Sequence, residues 1–205
     1  MMISTPRFLL IISLLLTLWG CSSIPEPIRD VEWQAHQARL ATIEQYKLTG
    51  RLAYIDQDQR QSLNFQWQTS PKQTQLRLSN FLGQTVLQLS IDPQGAQVTT
   101  HDNQIYRAAS AEQLIHSLTG LVLPIELLQA WILGLPAEAE RFTLNESNTL
   151  ASLQKKQAAT QWSVDYHRYR EFSWQQHPIP LPDRIKLSQG HTSINLAIAN
   201  WTLIP

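Results

Sequence analysis

The sequence predicts an α+β domain in which helices cover one face of a long antiparallel sheet. After residue 45 most apolar and polar residues alternate with a period of two, and two short segments with helical spacing interrupt this alternation. Tight turns separate the alternating runs, which is typical of strands joined by hairpins. A sheet with so many strands curls, and its apolar face must be covered, so a hollow apolar interior under the helices is expected.

Three helices have recognisable ends in the sequence. Residues 30–45 are predicted as the first helix, because the aspartate at its start can cap it. Ser110–Gln113 forms a capping box for a second helix, which Gly120 ends. Pro124 suits the first turn of a third helix, which Gly134 stops. The last two helices form a pair that interrupts the sheet.

The strands are predicted from runs of alternating side chains. Turn residues separate most of them, for example at 56–59, 70–72, 80–83 and 92–95. The predicted runs are Leu48–Tyr54, Leu63–Trp67, Leu76–Leu78, Leu87–Ile91, Trp162–Tyr166 and Ile194–Leu203.

The N-terminus has the features of an export signal. Arg7 is the only charged residue before Cys21, and an apolar run of residues 8–18 follows it. Cys21 is the only cysteine, so it has no partner for an intramolecular disulfide. We expect residues 1–20 to be a signal peptide, residues 21–29 a lipidated tether, and residues 30–205 one domain. An ordinary signal peptide with a stray cysteine, or a retained membrane anchor, is the alternative.

The charge balance limits the classes of partner. The chain has 16 basic and 16 acidic residues, which argues against a nucleic-acid partner. The sequence shows no polybasic segment of the kind that binds anionic lipid.

No catalytic or cofactor motif is evident. The six histidines have no zinc-ligand spacing, and the seven glycines form no phosphate-binding loop. The sequence also has no Gly-x-Ser-x-Gly or Ser-x-x-Lys pattern. We therefore expect no metal, no cofactor and no enzyme activity, although a site assembled from distant residues stays possible.

The turn at residues 80–83 is unusual because Phe81 and Leu82 stand side by side in a hairpin connection. Hairpin tips are normally polar. Physical reasoning alone favours a turn whose apolar side chains fold back into the core, and leaves open an exposed tip that touches lipid.

Several segments resemble the LolB family of outer-membrane lipoproteins. The most specific are the stretch Trp131–Pro136 and the unit in which Asn80–Gly83 joins two strands. The junction Leu18–Cys21 also resembles a lipobox, the signal that is cut before a lipidated cysteine. Further matching segments are residues 36–55, 76–89, 118–136, 161–169 and 194–201.

The resemblance implies an open antiparallel β-barrel with helices covering an apolar cavity. It also implies a monomer, lipid-anchored through Cys21 in the outer membrane and facing the periplasm. Such a protein would accept lipoproteins from a periplasmic LolA-like chaperone, bind their acyl chains and insert them into outer-membrane lipid. Leu82 would be the membrane-inserting residue, and Phe81 stands where the family often has proline. The strand residues expected to line the cavity are Leu63, Phe65, Trp67, Leu78, Leu87, Leu89, Val164 and Leu196.

Two other functions stay open at this point. The chain could be an envelope scaffold lipoprotein that binds protein partners through the apolar tip, in which case its core should be dry. It could also be a hydrolase, for which the sequence offers no identifiable site.

Overall fold

The computed structural model describes residue 28 and residues 30–120, 123–157 and 160–205, with only the backbone of residue 157. Eleven strands in these ranges form one antiparallel sheet, and three helices accompany it. The strands are β1 (Gln45–Ile55), β2 (Arg60–Ser70), β3 (Gln73–Ser79), β4 (Thr85–Asp92), β5 (Gly95–Thr100), β6 (Ile105–Ala108), β7 (Arg141–Leu144), β8 (Leu150–Gln157), β9 (Thr160–Trp174), β10 (His177–Gln189) and β11 (Thr192–Ile204). The helices are α1 (Trp33–Ala41), α2 (Ala111–Thr119) and α3 (Ile125–Leu133).

The sheet is open and curled, which confirms the predicted fold class. Its strand order is β6-β5-β4-β3-β2-β1-β11-β10-β9-β8-β7, so the last strand pairs with the first in the middle of the sheet. The two outermost strands, β6 and β7, form the free edges. The curl gives the sheet an inner face, toward the helices, and an outer face.

Alternation along each strand sorts the side chains between these two faces. Trp67 pairs with Leu76, Leu76 with Leu89, and Leu89 with Val98, so four apolar residues form one row across four strands. Three of them are at least 97% buried and the fourth packs against the core. The apolar runs of the sequence therefore form the inner face of the curled sheet.

The first helix is shorter than the sequence pattern predicts. Glu32 caps α1 by accepting hydrogen bonds from the backbone N–H groups of Gln34 and Ala35, at 3.0 and 2.7 Å. Asp30 is therefore not the capping residue. The helix ends at Ala41, and Gln45 already belongs to β1.

The ends of the other two helices agree with the sequence. Ser110 accepts a hydrogen bond from the N–H of Gln113 at 3.2 Å, and Gly120 ends α2 in the left-handed conformation. Pro124 stands at the N-cap of α3, and Gly134 ends α3 with a φ of 88°. Contacts from α2 reach β5 and β6, whereas those of α3 reach β10.

Candidate functional site

An apolar cavity of about 80 Å³ lies between the inner face of the sheet and the helices. Only apolar side chains form its wall. Eight come from strands β1, β2, β3, β4, β10 and β11, and five come from α2, α3 and the segment just before α3. The lining residues are Leu52, Phe65, Trp67, Leu76, Leu89, Ile115, Leu123, Ile125, Leu128, Ile132, Leu187, Ile194 and Leu196.

The structure brings half of the sequence-predicted lining residues to this cavity. The four that line it are Phe65, Trp67, Leu89 and Leu196. The other four lie elsewhere. Val164 is fully buried in the core, Leu78 and Leu87 are partly buried against that core, and Leu63 is partly buried in β2.

The helices contribute side chains to the wall that were not predicted from the sequence. Ile115 of α2 and Ile125, Leu128 and Ile132 of α3 all face the cavity. Helical spacing of apolar residues was the available signal, because it marks the buried face of a helix. That spacing indicates burial, but not which buried side chains border an empty space.

The C-terminal half of α3 is fixed to the sheet by hydrogen bonds. The hydroxyl of Tyr46 donates to the carbonyl of Gln129 at 2.9 Å, and that of Tyr166 donates to the carbonyl of Trp131 at 2.8 Å. Burial raises the pKa of both tyrosines, so both hydroxyls stay protonated and can donate. The side chain of Gln129 adds a hydrogen bond to Thr74 at 3.0 Å.

The N-terminal half of α3 is held differently. Pro124 gives its first turn no side-chain cap, and Ile125 and Leu128 contact the cavity instead of polar groups of the sheet. The cover over the cavity is therefore fixed by hydrogen bonds at one end and by apolar packing at the other.

The loop between β3 and β4 carries two large exposed apolar side chains. Phe81 is 88% exposed and Leu82 is 67% exposed, the two largest values among the exposed large hydrophobics. The interpretation that they fold back into the core is therefore wrong for the described structure. Most of each side chain is therefore open to a surface that the loop could meet.

The backbone of this loop is held in shape by Asn80. Its side-chain oxygen accepts hydrogen bonds from the N–H groups of Leu82 and Gln84, both at 3.0 Å. Its side-chain amide donates to the side chain of Gln84 at 2.8 Å. Gly83 adopts a φ of 81°, which favours glycine. The two apolar residues are thus presented on a turn that hydrogen bonds hold in shape.

Apolar residues connect this loop to the cavity along β3 and β4. Leu78 pairs with Leu87 next to the loop, and two residues further along the strands Leu76 pairs with Leu89 in the cavity wall. Residues two apart on a strand share a face. The inner face is therefore apolar from the loop to the cavity.

The described residues contain neither a metal-binding cluster nor a membrane-spanning helix. They contain no group of three or more His, Cys, Asp or Glu side chains that could hold a metal ion. No helix within the described ranges is long and apolar enough to cross a membrane. Cys21 and the segment predicted as signal peptide lie outside the described residues.

Comparison with known proteins places these features in one family. The model of the family "Outer membrane lipoprotein LolB" matches residues 44–201. The outer-membrane lipoprotein LolB of Vibrio cholerae is 56% identical over 191 residues, with 93% of each chain covered. That of Vibrio campbellii is 47% identical, with 96% of this chain and 97% of the relative covered.

Solved structures show the same fold at low identity. A LolA superfamily protein from Nitrosomonas europaea aligns with a TM-score of 0.50 and 10% identity, over 86% of this chain and 95% of the other. A DUF1329 family protein from Desulfovibrio piger aligns with a TM-score of 0.52 and 5% identity, over 82% and 89%. With a matching family model and near full-length relatives, the chain belongs to the LolB family of outer-membrane lipoproteins.

Proposed function

We propose that this protein accepts lipoproteins from a periplasmic LolA-like chaperone, holds their acyl chains against its apolar inner face and inserts them into the outer membrane. The observation that carries the proposal is the hydrogen-bonded loop with exposed Phe81 and Leu82, from which an apolar strip leads to the cavity. Exposed apolar side chains on a polar domain are suited to contact with lipid. The process is physical carriage and requires no bond chemistry.

The energetics of acyl chains explain why such a carrier is needed. Each CH₂ group removed from water is worth about 0.8 kcal/mol, so several chains together represent tens of kcal/mol. An apolar wall offsets this cost during transfer. Release to a bilayer does not expose the chains to water once the loop meets it, because the bilayer offers them an equally apolar environment.

The cavity must enlarge to bind such a ligand. Its volume of about 80 Å³ is smaller than the roughly 300 to 1,000 Å³ of common ligand pockets. The α2 helix and the first turn of α3 are the elements to move, because apolar packing holds the start of α3 whereas hydrogen bonds fix its end. Acyl chains would replace the apolar contacts that the helices lose.

The anchor and the loop then have separate tasks in this proposal. Lipidation of Cys21 keeps the domain at the target membrane, with residues 21–29 as the tether and residues 30–205 as the carrier domain. Phe81 and Leu82 make the contact through which the cargo leaves.

The loop is tested by Leu82→Glu in a liposome transfer assay with a chaperone-bound lipoprotein as donor. A carboxylate at the tip is costly to place in lipid, so insertion is expected to fall roughly tenfold or more. Folding and chaperone binding should stay normal, because the side chain is 67% exposed.

The matched control is Ile204→Glu, which makes the same kind of change at an apolar residue that is 38% exposed at the end of β11. This variant should insert lipoproteins at the normal rate. Normal delivery by Leu82→Glu would contradict the proposed role of the loop.

Lipid binding distinguishes the proposed carrier from the scaffold alternative. A carrier purified without delipidation should show bound acyl species in native mass spectrometry, whereas a scaffold with a dry core should show none. A dry protein that still binds partners through Phe81 and Leu82 would favour the scaffold.

A further inference from the structure

Positive charge is concentrated on the central strands of the sheet, although the chain as a whole is neutral. The adjacent strands β3, β2, β1, β11 and β10 contain a single acidic residue, Asp183. Their six basic residues are Lys47, Arg51, Arg60, Arg77, Arg184 and Lys186. The fold thus assembles on one region charges that are scattered along the sequence.

The one carboxylate in this region is already neutralised. Asp183 is fully buried and accepts hydrogen bonds from Arg168 of β9, with Nη2 at 2.6 Å and Nε at 2.8 Å. The Nε of Arg170 lies 2.8 Å from the same carboxylate. Two guanidinium groups surround one carboxylate, so this cluster carries a net charge of about +1 and adds to the positive potential.

Arg51 and Arg184 flank an open hollow on the outer face. Both are paired with Ala197 of β11, so they stand on either side of it in one row of the sheet and project to the same face. Two strand spacings separate them, about 10 Å between Cα atoms. The hollow has a volume of about 530 Å³, and no acidic residue lines it.

The small residues between the two arginines keep this hollow open. Gly50 forms part of its lining, at a shift in the pairing between β1 and β11. A side chain at Gly50 would collide with the backbone oxygen of Ala197. The neighbouring lining residues Ala197 and Ala199 are also small, so these three positions place no large side chain in the space.

Neither arginine is engaged within the part of the chain that the structure describes. Arg168 and Arg170 form ion pairs with Asp183, whereas the side chains of Arg51 and Arg184 make no hydrogen bond or ion pair with a described residue. Two free guanidinium groups facing one hollow match a group with several acceptor oxygens, because each can donate two parallel hydrogen bonds.

We propose that the hollow between Arg51 and Arg184 binds a phosphate group, as a phosphodiester of a lipid headgroup or as free phosphate. Two unpaired guanidinium groups that face one hollow favour a small anion over a broad acidic protein surface. The site lies on the outer face of the sheet, whereas the acyl cavity lies on the inner face, so the proposal does not depend on the function proposed above.

Binding is tested on the full-length protein in a maltoside detergent, which contains no phosphate. The probes are inorganic phosphate, monomeric dihexanoyl phosphatidylglycerol and the neutral dihexanoylglycerol. The readouts are calorimetric titration and the NMR shifts of the arginine Nε–H groups. We expect the Arg51 and Arg184 signals to move with a phosphate probe and to stay in place with the neutral lipid.

The double variant Arg51→Gln and Arg184→Gln should lose roughly a hundredfold in affinity, because each substitution removes charge-assisted hydrogen bonds worth about tenfold or more. Arg77→Gln is the matched control, since it removes the same charge from a residue two strands from Arg51 and outside the hollow. It should bind like the unchanged protein.

The possible outcomes distinguish a lipid headgroup from free phosphate, and a specific phosphate site from diffuse charge or a protein-docking surface. Binding of phosphatidylglycerol alone identifies a lipid headgroup, and equal binding of inorganic phosphate shows that the phosphate group suffices. Equal losses in the double variant and in Arg77→Gln would overturn the proposal in favour of diffuse charge. Failure of both phosphate probes, with an acidic protein still bound, would overturn it in favour of a protein-docking surface.

Discussion

At the scale of single residues, His36 is the clearest example of a side chain whose burial is unfavourable. It lies in α1, only 3% exposed, and its Nδ1 has no hydrogen-bond partner among the described residues. Burial, with a smaller effect from the charge of Arg39, lowers the pKa of His36 from 6.5 to about 4. The imidazole is therefore neutral in the folded protein at neutral pH.

This histidine predicts acid sensitivity with a definite sign. Between about pH 6.5 and pH 4 the unfolded chain binds the proton and the folded chain does not, so stability falls as the pH is lowered. The shift corresponds to roughly 3 kcal/mol. His36→Phe should remove this component from urea unfolding curves measured across that range. An unchanged pH dependence in His36→Phe would show that other groups cause it.

Single residues also show what could not be predicted from the sequence. Phe81 and Leu82 could be identified by position, but their exposure could not, because a neighbouring helix could have covered them. Asp30 could cap a helix as well as Glu32 could, and only the path of the chain decides between them. Arg51 and Arg184 stand on either side of Ala197 in the sheet but are far apart in the chain, so no local sequence pattern reveals that they are neighbours.

At the scale of elements, the long hairpin strands were predictable and the irregular ones were not. The alternation of apolar and polar residues identified β1 to β4, because one face of these strands is exposed to solvent. The β10 strand contains Pro178, Pro180 and Pro182, which argue against a central strand. Its pairing with β11 begins only at Arg184, so these prolines lie where β10 has β9 as its single neighbour. The missing N–H groups therefore cost no hydrogen bond to β11.

The α3 helix yields a prediction about its attachment. Tyr166→Phe removes the buried hydrogen bond to the carbonyl of Trp131 and should lower the free energy of unfolding by about 1 kcal/mol. It should also speed amide exchange in α3, because this contact fixes the C-terminal half of that helix to the sheet. Hydrogen exchange followed by mass spectrometry measures the effect on each segment.

Tyr169→Phe provides the matched control for that experiment. The Tyr169 hydroxyl donates a buried hydrogen bond of 2.7 Å to the carbonyl of Leu150, at the start of β8. Its loss should lower stability by a similar amount and leave exchange in α3 unchanged. Equal exchange in α3 for the two variants would contradict an attachment specific to Tyr166.

At the scale of the whole molecule, the empty cavity lowers the stability of the fold but leaves room for lipid. Leu128→Phe adds volume at the cavity wall and should raise the melting temperature by a few degrees, since filling an empty space restores contacts. The same change should reduce uptake of a fluorescent acyl probe, because the filled wall resists enlargement. Both quantities can be measured on the same preparation.

A fully packed position shows what the same substitution does without a cavity. Leu181 is completely buried in β10 and does not line the cavity. Leu181→Phe should therefore lower the melting temperature, since overpacking costs about 1 to 3 kcal/mol. A stabilising effect at both positions would mean that the cavity is not the cause.

The free edges of the sheet have a mechanical consequence. Because β6 and β7 are not bonded to each other, the barrel has a seam, and its circumference can widen without breaking any strand ladder. Each edge strand has four residues, and each contains an arginine, Arg107 or Arg141. Short, charged edges resist pairing with another chain. The barrel can thus open at its seam, while its exposed edge strands stay protected from aggregation by strand pairing.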